Sequence, residues 1–273
     1  MKVDFTKMSG AGNDFVVVDN RSKRIKDGRK AARILCDRRW GVGADGLLLL
    51  EKGKKGSYKM MYYNADGSYG GMCGNGGRCI ASYAVLNKIA AKRHRFEALD
   101  HIYDAVVSQK EVVLSMKDPK DVQLGDEVSL KGRRLLVNSV DTGAPHVVVP
   151  VANLGGSLRL PDVDVVNLGR EIRLNGKFSP AGTNVNFVER LGGNSIKIRT
   201  YERGVEDETL ACGTGSIASA IVAMDLWKLK SPITVIPQSG IPLRVEFEML
   251  GSSAVNVQLA GPATVVFTGT VEL

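Results

Sequence analysis

Two cysteines stand at equivalent places in two copies of one short pattern. Cys73 begins the stretch CGNGGRCIASYAVL, and Cys212 begins CGTGSIASAIVAM. In both copies a Cys-Gly-Xaa-Gly turn leads into an apolar run, rich in small residues, that has helical spacing. The copies lie 212 − 73 = 139 residues apart, about half of the 273-residue chain. The pattern therefore predicts a duplicated cysteine site.

The start of a helix is a place where a thiol becomes reactive. The first helical turn leaves N–H groups unpaired, and the helix dipole adds positive charge there. Such an end binds carboxylate or phosphate and favours thiolate over thiol. The glycines permit close approach of the backbone and positive φ angles. Buried structural cysteine is the alternative for one copy alone, whereas two copies indicate paired thiols facing one small anionic ligand.

Paired thiols can invert a carbon atom that carries one hydrogen. A thiolate on one face removes the proton, a thiol on the other face delivers one, and the roles exchange in the reverse direction. Fixed N–H donors at the helix starts stabilise the negative charge that develops on an adjacent carboxylate. This chemistry requires no metal and no pyridoxal, and a lysine Schiff base stays open as an alternative.

Composition restricts the class of protein. The chain is 44% hydrophobic and has no apolar run long enough to cross a membrane. Its first residues, MKVDFTKMSG, lack the apolar core of a signal peptide, so we expect a cytoplasmic protein whose four cysteines stay reduced. Cys73 and Cys79 do not have zinc-ligand spacing, and only three histidines are present, so we expect no metal site.

The net charge of +8 permits nucleic-acid binding. The basic residues are, however, dispersed over apparent turns and are not interleaved with aromatic residues. We interpret them as solvated loops.

The order of predicted elements indicates an α+β fold. Many short strands surround one apolar helix in each half of the chain, and strands do not alternate with helices as they do in parallel α/β folds. A further helix is predicted over 30–39, the two cysteine helices extend to about Ala90 and Leu229, and Asp118-Pro119 is a plausible domain boundary. We therefore expect two pseudo-symmetric domains, each a mostly antiparallel sheet or barrel wrapped around a central buried helix.

Several longer motifs resemble one enzyme family. NADGSYGGMCGNGGRC, YERGVEDETLACGTG, MSGAGNDF, DTGAPH and GTNVNF are similar to motifs of the diaminopimelate epimerases. Proline and hydroxyproline racemases also have paired cysteines, but with a histidine after the first Cys-Gly and an aspartate-rich segment before the second cysteine. Asn75 and the Glu202-Arg203-Gly204 segment favour the diaminopimelate branch, and epimerisation of another amino acid remains the alternative.

The resemblance implies a cofactor-independent interconversion of LL- and meso-2,6-diaminopimelate in lysine and cell-wall precursor synthesis. It also implies a homodimer. The dispersed basic residues and the lack of a long apolar run, in turn, predict neither a nucleic-acid partner nor a membrane partner. The resemblance further implies that the last strand joins the first domain, which gives domains of 1–118 plus 265–273, carrying Cys73, and 119–264, carrying Cys212.

The resemblance also implies roles for individual residues. Cys73 and Cys212 match the catalytic pair, and His146 and Glu202 match polar residues that assist the thiols. Nine positions match substrate-binding residues: Asn13, Asn64, Gly74, Asn75, Asn184, Glu202, Arg203, Gly213 and Thr214.

At some positions the residue type allows a purely structural role or departs from the family pattern. Gly46 stands where some relatives carry a substrate-binding glutamine, and Ala144 stands where some carry an asparagine, which leaves both contacts open. A surface ion pair with Glu206 or Asp207 is the alternative for Arg203, and a core histidine is the alternative for His146. Asparagine is common in turns for backbone reasons alone.

Overall fold

A computed structural model describes residues 1–251 and 253–273. The strands are β1 Lys2–Gly10, β2 Asn13–Asp19, β3 Gly46–Glu51, β4 Lys59–Asn64, β5 Arg93–Ala98, β6 His101–Val107, β7 Val112–Ser115, β8 Lys120–Leu130, β9 Arg133–Asp141, β10 Pro145–Pro150, β11 Asn184–Arg190, β12 Ser195–Glu202, β13 Asp207–Thr209, β14 Ile233–Ile236, β15 Leu243–Leu250, β16 Ser253–Gly261 and β17 Thr264–Glu272. The α-helices are α1 Gly28–Leu35, α2 Gly74–Leu86, α3 Val165–Arg173 and α4 Gly213–Trp227. Short 3-10 turns lie at Val151–Leu154, Leu160–Asp162 and Gly176–Phe178.

The chain divides into two compact units. The N-terminal unit comprises Met1–Ser115 and Ala260–Leu273, and the C-terminal unit comprises Met116–Leu259. The domain boundaries expected from the sequence, after residue 118 and before residue 265, differ from these by three and five residues.

In the N-terminal unit, eight strands are neighbours in the order β17, β1, β2, β3, β4, β5, β6 and β7. β17 pairs with β1, which forms a hairpin with β2. β2 lies parallel to β3, which forms a hairpin with β4, and β4 meets β5 through one parallel bridge. β5, β6 and β7 continue as antiparallel neighbours. Helix α1 connects the first parallel pair and helix α2 the second, as parallel neighbours require crossover connections.

The C-terminal unit repeats this order. β8, β9 and β10 are antiparallel neighbours, and β10 lies parallel to β11 after a crossover that contains α3. β11 is antiparallel to β12, which lies parallel to β14 after a crossover that contains α4. β13 adds a short antiparallel strand to β12, and β14 is antiparallel to β15. The duplication therefore extends from the cysteine pattern to the topology.

Helices α2 and α4 are the central helices of their units. Residues from Gly74 to Ala84 of α2 are all buried, as are nearly all residues from Gly213 to Ala223 of α4. Strands contact both helices on several sides. Small and apolar residues around the whole circumference make such a helix stable only inside a core. The expected α+β fold, with sheet wrapped around a buried helix in each unit, is confirmed.

Helices α1 and α3 are amphipathic and cover the sheets from outside. Each is capped by an aspartate: Asp27 accepts a hydrogen bond from the Lys30 amide, and Asp164 from the Asn167 amide. Side-chain oxygen acceptors are the usual caps of helix N-termini. α1 ends at Leu35, four residues before the predicted end, and α3 was not predicted.

Helix α2 also ends earlier than predicted, at Leu86 instead of near Ala90. The Asn87 side chain donates to the Tyr83 carbonyl over 2.9 Å, and Lys88 has a φ of 58°. A left-handed residue at this point terminates a helix. No helix in the described ranges, 1–251 and 253–273, has the length and hydropathy of a membrane span.

Candidate active site

Cys73 and Cys212 are the N-caps of the two central helices. Their backbone angles agree closely, at φ −117° and ψ 122° for Cys73 and φ −116° and ψ 114° for Cys212. Cys73 Sγ accepts a hydrogen bond from the Gly76 amide over 3.5 Å, and Cys212 Sγ accepts one from the Gly215 amide over 3.4 Å. Each sulfur therefore occupies the place of the usual capping oxygen, at the positive end of its helix.

The glycines that follow the cysteines have a packing role. Gly74 and Gly213 begin their helices, and Gly76 and Gly215 lie in the first turns, without the positive φ that the sequence pattern allowed. A Cβ atom on Gly215 would lie 2.3 Å from Oδ1 of Asn186. Because the helix start approaches a buried polar side chain so closely, only glycine fits without a shift of the neighbouring groups.

Asn13 joins the turn between β1 and β2 to the Cys73 site. Its Oδ1 accepts a hydrogen bond from Cys73 Sγ over 3.8 Å and one from Asn75 Nδ2 over 3.5 Å. Its own Nδ2 donates to Oδ2 of Asp45 over 2.6 Å. Since a carboxylate accepts only, Asp45 sets the amide orientation and directs the Asn13 oxygen towards the thiol. Asp45 was not among the site residues predicted from the sequence.

Asp45 belongs to a cluster of two carboxylates and two cations. Arg38 donates to both Asp14 and Asp45, over 2.9 and 2.8 Å, and Lys7 pairs with Asp14 over 2.7 Å. Burial opposes ionisation of Asp14, but hydrogen bonds from Arg38 and Lys7 outweigh it and lower the Asp14 pKa to about 2. The cluster is therefore charge-balanced at neutral pH and holds the loop before β3 against the start of β2.

Asn64 and Gly46 are direct partners at the ends of β4 and β3. Asn64 accepts a hydrogen bond from the Tyr62 hydroxyl over 2.6 Å and donates to Ser68 over 2.9 Å. A Cβ on Gly46 would lie 2.5 Å from Cε2 of Tyr62. The tyrosine ring thus fills the space that a longer side chain at position 46 would need, which is a physical reason for glycine in this chain.

His146 is a buried, neutral histidine in the C-terminal unit. Its Nδ1 lies 3.1 Å from Nδ2 of Asn186, which also donates to the Val147 carbonyl, while Asn186 Oδ1 accepts from Thr200. Asn186 is therefore a donor to Nδ1, and the ring proton belongs on Nε2, which has no partner among the described residues. Burial, with a smaller effect of the Arg203 charge, lowers the His146 pKa to about 3.

Asn184 and Arg203 are connected through the backbone. The Arg203 amide donates to Oδ1 of Asn184 over 2.9 Å, and Asn184 Nδ2 donates to the Pro145 carbonyl over 3.0 Å. The Asn184 amide thus ties together the starts of β10 and β11 and the turn after β12. The Arg203 guanidinium donates to the Ala181 carbonyl over 3.3 Å.

The ion pair considered for Arg203 is not formed. Glu206 instead pairs with Arg173 over 2.8 Å, and over the described part of the chain no carboxylate lies within 4.0 Å of the Arg203 side-chain nitrogens.

Glu202 accepts a hydrogen bond from the Thr209 hydroxyl over 2.9 Å. Thr214 Oγ1 lies 3.5 Å from Cys212 Sγ.

In each unit the predicted residues gather at one edge of the sheet, beside the start of the cysteine helix. In the N-terminal unit this edge is where β3 begins and β4 ends, and Gly46 lies opposite both Phe15 and Asn64 there. In the C-terminal unit it is where the parallel strands β10 and β11 begin, and His146 lies opposite Asn184 there. This edge carries Asn13 and Asn64 in the N-terminal unit, and His146, Asn184 and Glu202, followed by Arg203, in the C-terminal unit. Gly74 and Asn75 lie in the first turn of α2, and Gly213 and Thr214 in the first turn of α4. Asn186 and Asp45 were missed because neither has a sequence signal that separates it from ordinary strand and loop residues.

The two other cysteines lie in different surroundings. Cys36 and Cys79 are buried, and burial raises the pKa of each thiol to about 12. They therefore stay protonated at neutral pH. The described residues contain no group of three or more His, Cys, Asp or Glu side chains that could hold a metal ion.

The likeness to known proteins extends over the whole chain. The family model of diaminopimelate epimerase matches residues 5–121 and 138–265. A diaminopimelate epimerase of Chlorobaculum tepidum is 44% identical over 271 residues, covering 97% of this chain and 100% of the relative. One of Flavobacterium psychrophilum is 39% identical over 267 residues, covering 97% and 98%.

The fold is shared more widely. The crystal structure of a probable proline racemase from Agrobacterium radiobacter superposes with a TM-score of 0.76 at 14% identity, covering 99% of this chain and 92% of that protein. At this identity the likeness concerns the fold alone. The family model and the full-length relatives establish that this chain belongs to the diaminopimelate epimerase family.

Proposed function

We propose that this chain interconverts LL- and meso-2,6-diaminopimelate without a cofactor, through one thiolate and one thiol. The observation that carries the proposal is the matched pair of N-capping cysteines, Cys73 and Cys212, in a chain of this family. Cys36 and Cys79 are poorer candidates for this chemistry, because burial raises the pKa of each thiol and keeps it protonated.

In the proposed reaction, the thiolate of one cysteine removes the hydrogen from the α-carbon and becomes a thiol. The electron pair remains on the substrate, delocalised into the α-carboxylate. The N–H groups at the starts of α2 and α4 stabilise this charge. The opposite thiol then delivers its proton to the other face and becomes a thiolate, so that protons and charge balance in both directions.

The polar residues take different parts in this proposal. Asn13, Asn64, Asn75, Asn184 and Thr214 bind or orient the substrate, together with the amides of Gly74 and Gly213. Arg203 meets a substrate carboxylate, which is supported by the absence of a carboxylate partner for its guanidinium within the described ranges. Glu202 binds the substrate and assists a thiol.

His146 assists as a neutral donor. Because the His146 pKa is about 3, the ring is uncharged at neutral pH, and its Nε2–H is the polar group left over for a ligand or a thiol. A general base at this position would require a higher pKa.

A Schiff-base mechanism has less support than the two-thiol mechanism. Lys7 is the buried lysine of the described residues, and its Nζ pairs with Asp14 and donates to the Gly43 carbonyl. A lysine amine that is engaged in an ion pair and a hydrogen bond is a poor nucleophile. We further propose that the protein is cytoplasmic and forms a homodimer. We also propose the two domains that the family resemblance implies, 1–118 plus 265–273 and 119–264.

The test is proton exchange in deuterated water, starting from one isomer. A two-base site labels early product at the inverted carbon and leaves recovered substrate almost unlabelled. Mass spectrometry of the separated LL and meso isomers in the first few per cent of reaction measures both. Proline and hydroxyproline serve as competing substrates, and borohydride as a trap for a Schiff base.

If proline or hydroxyproline gains deuterium and diaminopimelate does not, the substrate is the labelled amino acid and the proposed substrate is wrong. Early product that keeps its original hydrogen, or equal labelling of both isomers, would replace the two-thiol mechanism by a single base. Inactivation by borohydride in the presence of substrate would indicate a Schiff base.

A further inference from the structure

Three buried polar side chains form a polar line across neighbouring strands of the C-terminal unit. They are His146 on β10, Asn186 on β11 and Thr200 on β12, and none of them is more than 2% exposed. Asn186 is the strand partner of Thr200 and lies opposite Val148, two residues after His146. Hydrogen bonds connect the line: Thr200 Oγ1 donates to Asn186 Oδ1 over 3.0 Å, and Asn186 Nδ2 lies 3.1 Å from His146 Nδ1.

The direction of the polar line is fixed at the Asn186 amide. Its Nδ2 also donates to the Val147 carbonyl over 3.0 Å. Because a carbonyl oxygen only accepts, a reversed amide would place two acceptors against each other at this point. The Asn186 nitrogen therefore faces His146, and a proton on Nδ1 of the ring would meet another donor.

His146 ends the line with an N–H group that has no acceptor. The ring is neutral, because burial lowers the His146 pKa to about 3, so its one proton lies on Nε2. This atom is buried and has no hydrogen-bond partner among the described residues. Native proteins contain few such groups, and leaving one unsatisfied costs about 1–3 kcal/mol. A ligand or a reacting group that supplies an acceptor would remove this cost.

The N-terminal unit has no such line at the equivalent positions. Leu48 takes the place of Asn186, since each is the first neighbour that a Cβ on the second glycine of its cysteine helix would meet. The strand partners of these two residues give the other correspondences, which are Phe15 for His146 and Tyr62 for Thr200. Phe15 and Leu48 carry no side-chain group that donates or accepts. Packing of the sheet on its central helix therefore does not require the polar line.

We infer that Asn186, supported by Thr200, is a positioning residue that holds His146 as a fixed hydrogen-bond donor at Nε2. Both residues act only through the imidazole ring. The Nε2–H group serves an acceptor that carries negative charge in the proposed reaction, which is a thiolate or a substrate carboxylate. The identity of this acceptor rests on the proposed function, but the place of the ring proton can be measured without turnover.

The ring proton is located by nitrogen-15 NMR of protein labelled in its histidine rings, at neutral pH. A ring nitrogen without a proton resonates far downfield of one with a proton, and loss of signals in His146→Phe assigns this residue. We expect Nδ1 of His146 to be the unprotonated nitrogen. His94 is an internal reference with the opposite state, since its Nδ1 lies 2.7 Å from the Ala91 carbonyl and its Nε2 lies 3.1 Å from the Tyr58 hydroxyl. A protonated Nδ1 in His146 would overturn the inference.

Replacement of Asn186 by aspartate tests the cause. Because a carboxylate only accepts, Asn186→Asp should place a proton on Nδ1 of His146, and the downfield Nδ1 signal should disappear. Asn138 provides the matched control, since it is also buried and its Nδ2 donates to the Val148 carbonyl of β10 over 3.2 Å. Asn138→Leu should leave the His146 signals unchanged. An unprotonated Nδ1 in folded Asn186→Asp, or the same change in Asn138→Leu, would show that Asn186 does not set the ring proton.

Kinetics tests whether the fixed donor matters. Asn186→Leu, which copies Leu48, should lower kcat/KM for diaminopimelate at least about tenfold. A loss that acts through His146 is not additive, so the double variant His146→Phe/Asn186→Leu should be no less active than His146→Phe alone. Thr200→Val should lower kcat/KM by a smaller factor, and Thr200→Ser should restore it. Additive losses, or a normal kcat/KM in Asn186→Leu, would contradict the positioning role.

Folding of each variant is checked by circular dichroism and gel filtration, and activity is expressed per folded molecule. If Asn186→Leu does not fold, the spectra of the unaltered chain and of Asn186→Asp decide the question. The NMR measurement requires no substrate, so its result stands even if diaminopimelate proves not to be the substrate. Deuterium exchange, in turn, tests the proposed function wherever the ring proton lies.

Discussion

Asn13 donates its side-chain amide to Oδ2 of Asp45 over 2.6 Å, and thereby presents its oxygen to Cys73. The two residues are 32 positions apart, at the start of β2 and just before β3. Asp45 is in turn held by Arg38, and its backbone amide donates to Asp14. A carboxylate outside the predicted site therefore determines which end of Asn13 faces the thiol.

Asp45→Ala should reduce kcat/KM for diaminopimelate about tenfold, since a free Asn13 amide can turn its nitrogen towards Cys73; a factor of ten corresponds to about 1.4 kcal/mol of barrier. Steady-state kinetics measures this. The control is Asp19→Ala, which removes an exposed pair with Arg21 in the same unit. Equal losses in the two variants would contradict an orienting role for Asp45.

Replacement of Cys73 or Cys212 by alanine should lower epimerisation by several orders of magnitude, because each direction requires both an acid and a base. Cys36→Ala serves as the control, since Cys36 is the buried C-cap of α1 and packs in the core of the N-terminal unit. Its activity per folded molecule should stay near that of the unaltered chain. An alanine variant at either helix start that keeps more than about a tenth of the activity would contradict the two-thiol mechanism.

His146 should remain neutral at every pH used for assay. Its ring proton signals in an NMR titration are expected to stay constant from pH 8 to pH 5, because the folded-state pKa is about 3. A titration midpoint near the ordinary value of about 6.5 would contradict this.

The lowered pKa of His146 also predicts how the stability of the protein depends on pH. Between pH 6.5 and pH 3 the unfolded chain binds a proton at position 146 and the folded chain does not, so the free energy of unfolding falls as the pH falls. The slope for one proton is about 1.4 kcal/mol per pH unit. The destabilisation caused by His146→Gln should therefore be about 2 kcal/mol smaller at pH 5 than at pH 7. Urea unfolding at both pH values measures it, and an unchanged difference would exclude the linkage.

Arg203→Met should raise KM for diaminopimelate at least about tenfold, because a charge-assisted hydrogen bond to a carboxylate contributes about 1.5–3 kcal/mol. Arg190→Met, at the exposed end of β11, is the matched control and should leave KM unchanged. A normal KM in the Arg203 variant would place the carboxylate contact elsewhere.

The sequence alone determined the features that depend on neighbouring residues. A capping residue, glycines and a run of small apolar residues specify where a buried helix starts, and both cysteine helices begin where the pattern predicts. The alternation of strands, and the repetition of the plan in two halves, follow equally from local pattern. The residue roles taken from the family resemblance stay predictions.

Local pattern was insufficient where packing overrides propensity. Helix α3 contains Gly169, which lowers helix propensity, and it was not predicted. In the structure a Cβ at position 169 would lie 2.5 Å from Cβ of Tyr201, so the glycine permits close contact between helix and sheet. The end of α2 was likewise decided by one left-handed residue, Lys88.

Only the tertiary structure decided the surroundings of the polar groups beside the cysteines. The order of residues places Arg78 five positions after Cys73, but it does not say that the guanidinium is fully buried and donates to the neutral oxygens of Gly74 and Asn75. Nor does it say that Asp45 orients Asn13, or that burial keeps His146 neutral. The charge on a group depends on its solvation and on partners distant in the chain, and these exist only once the strands have brought them together.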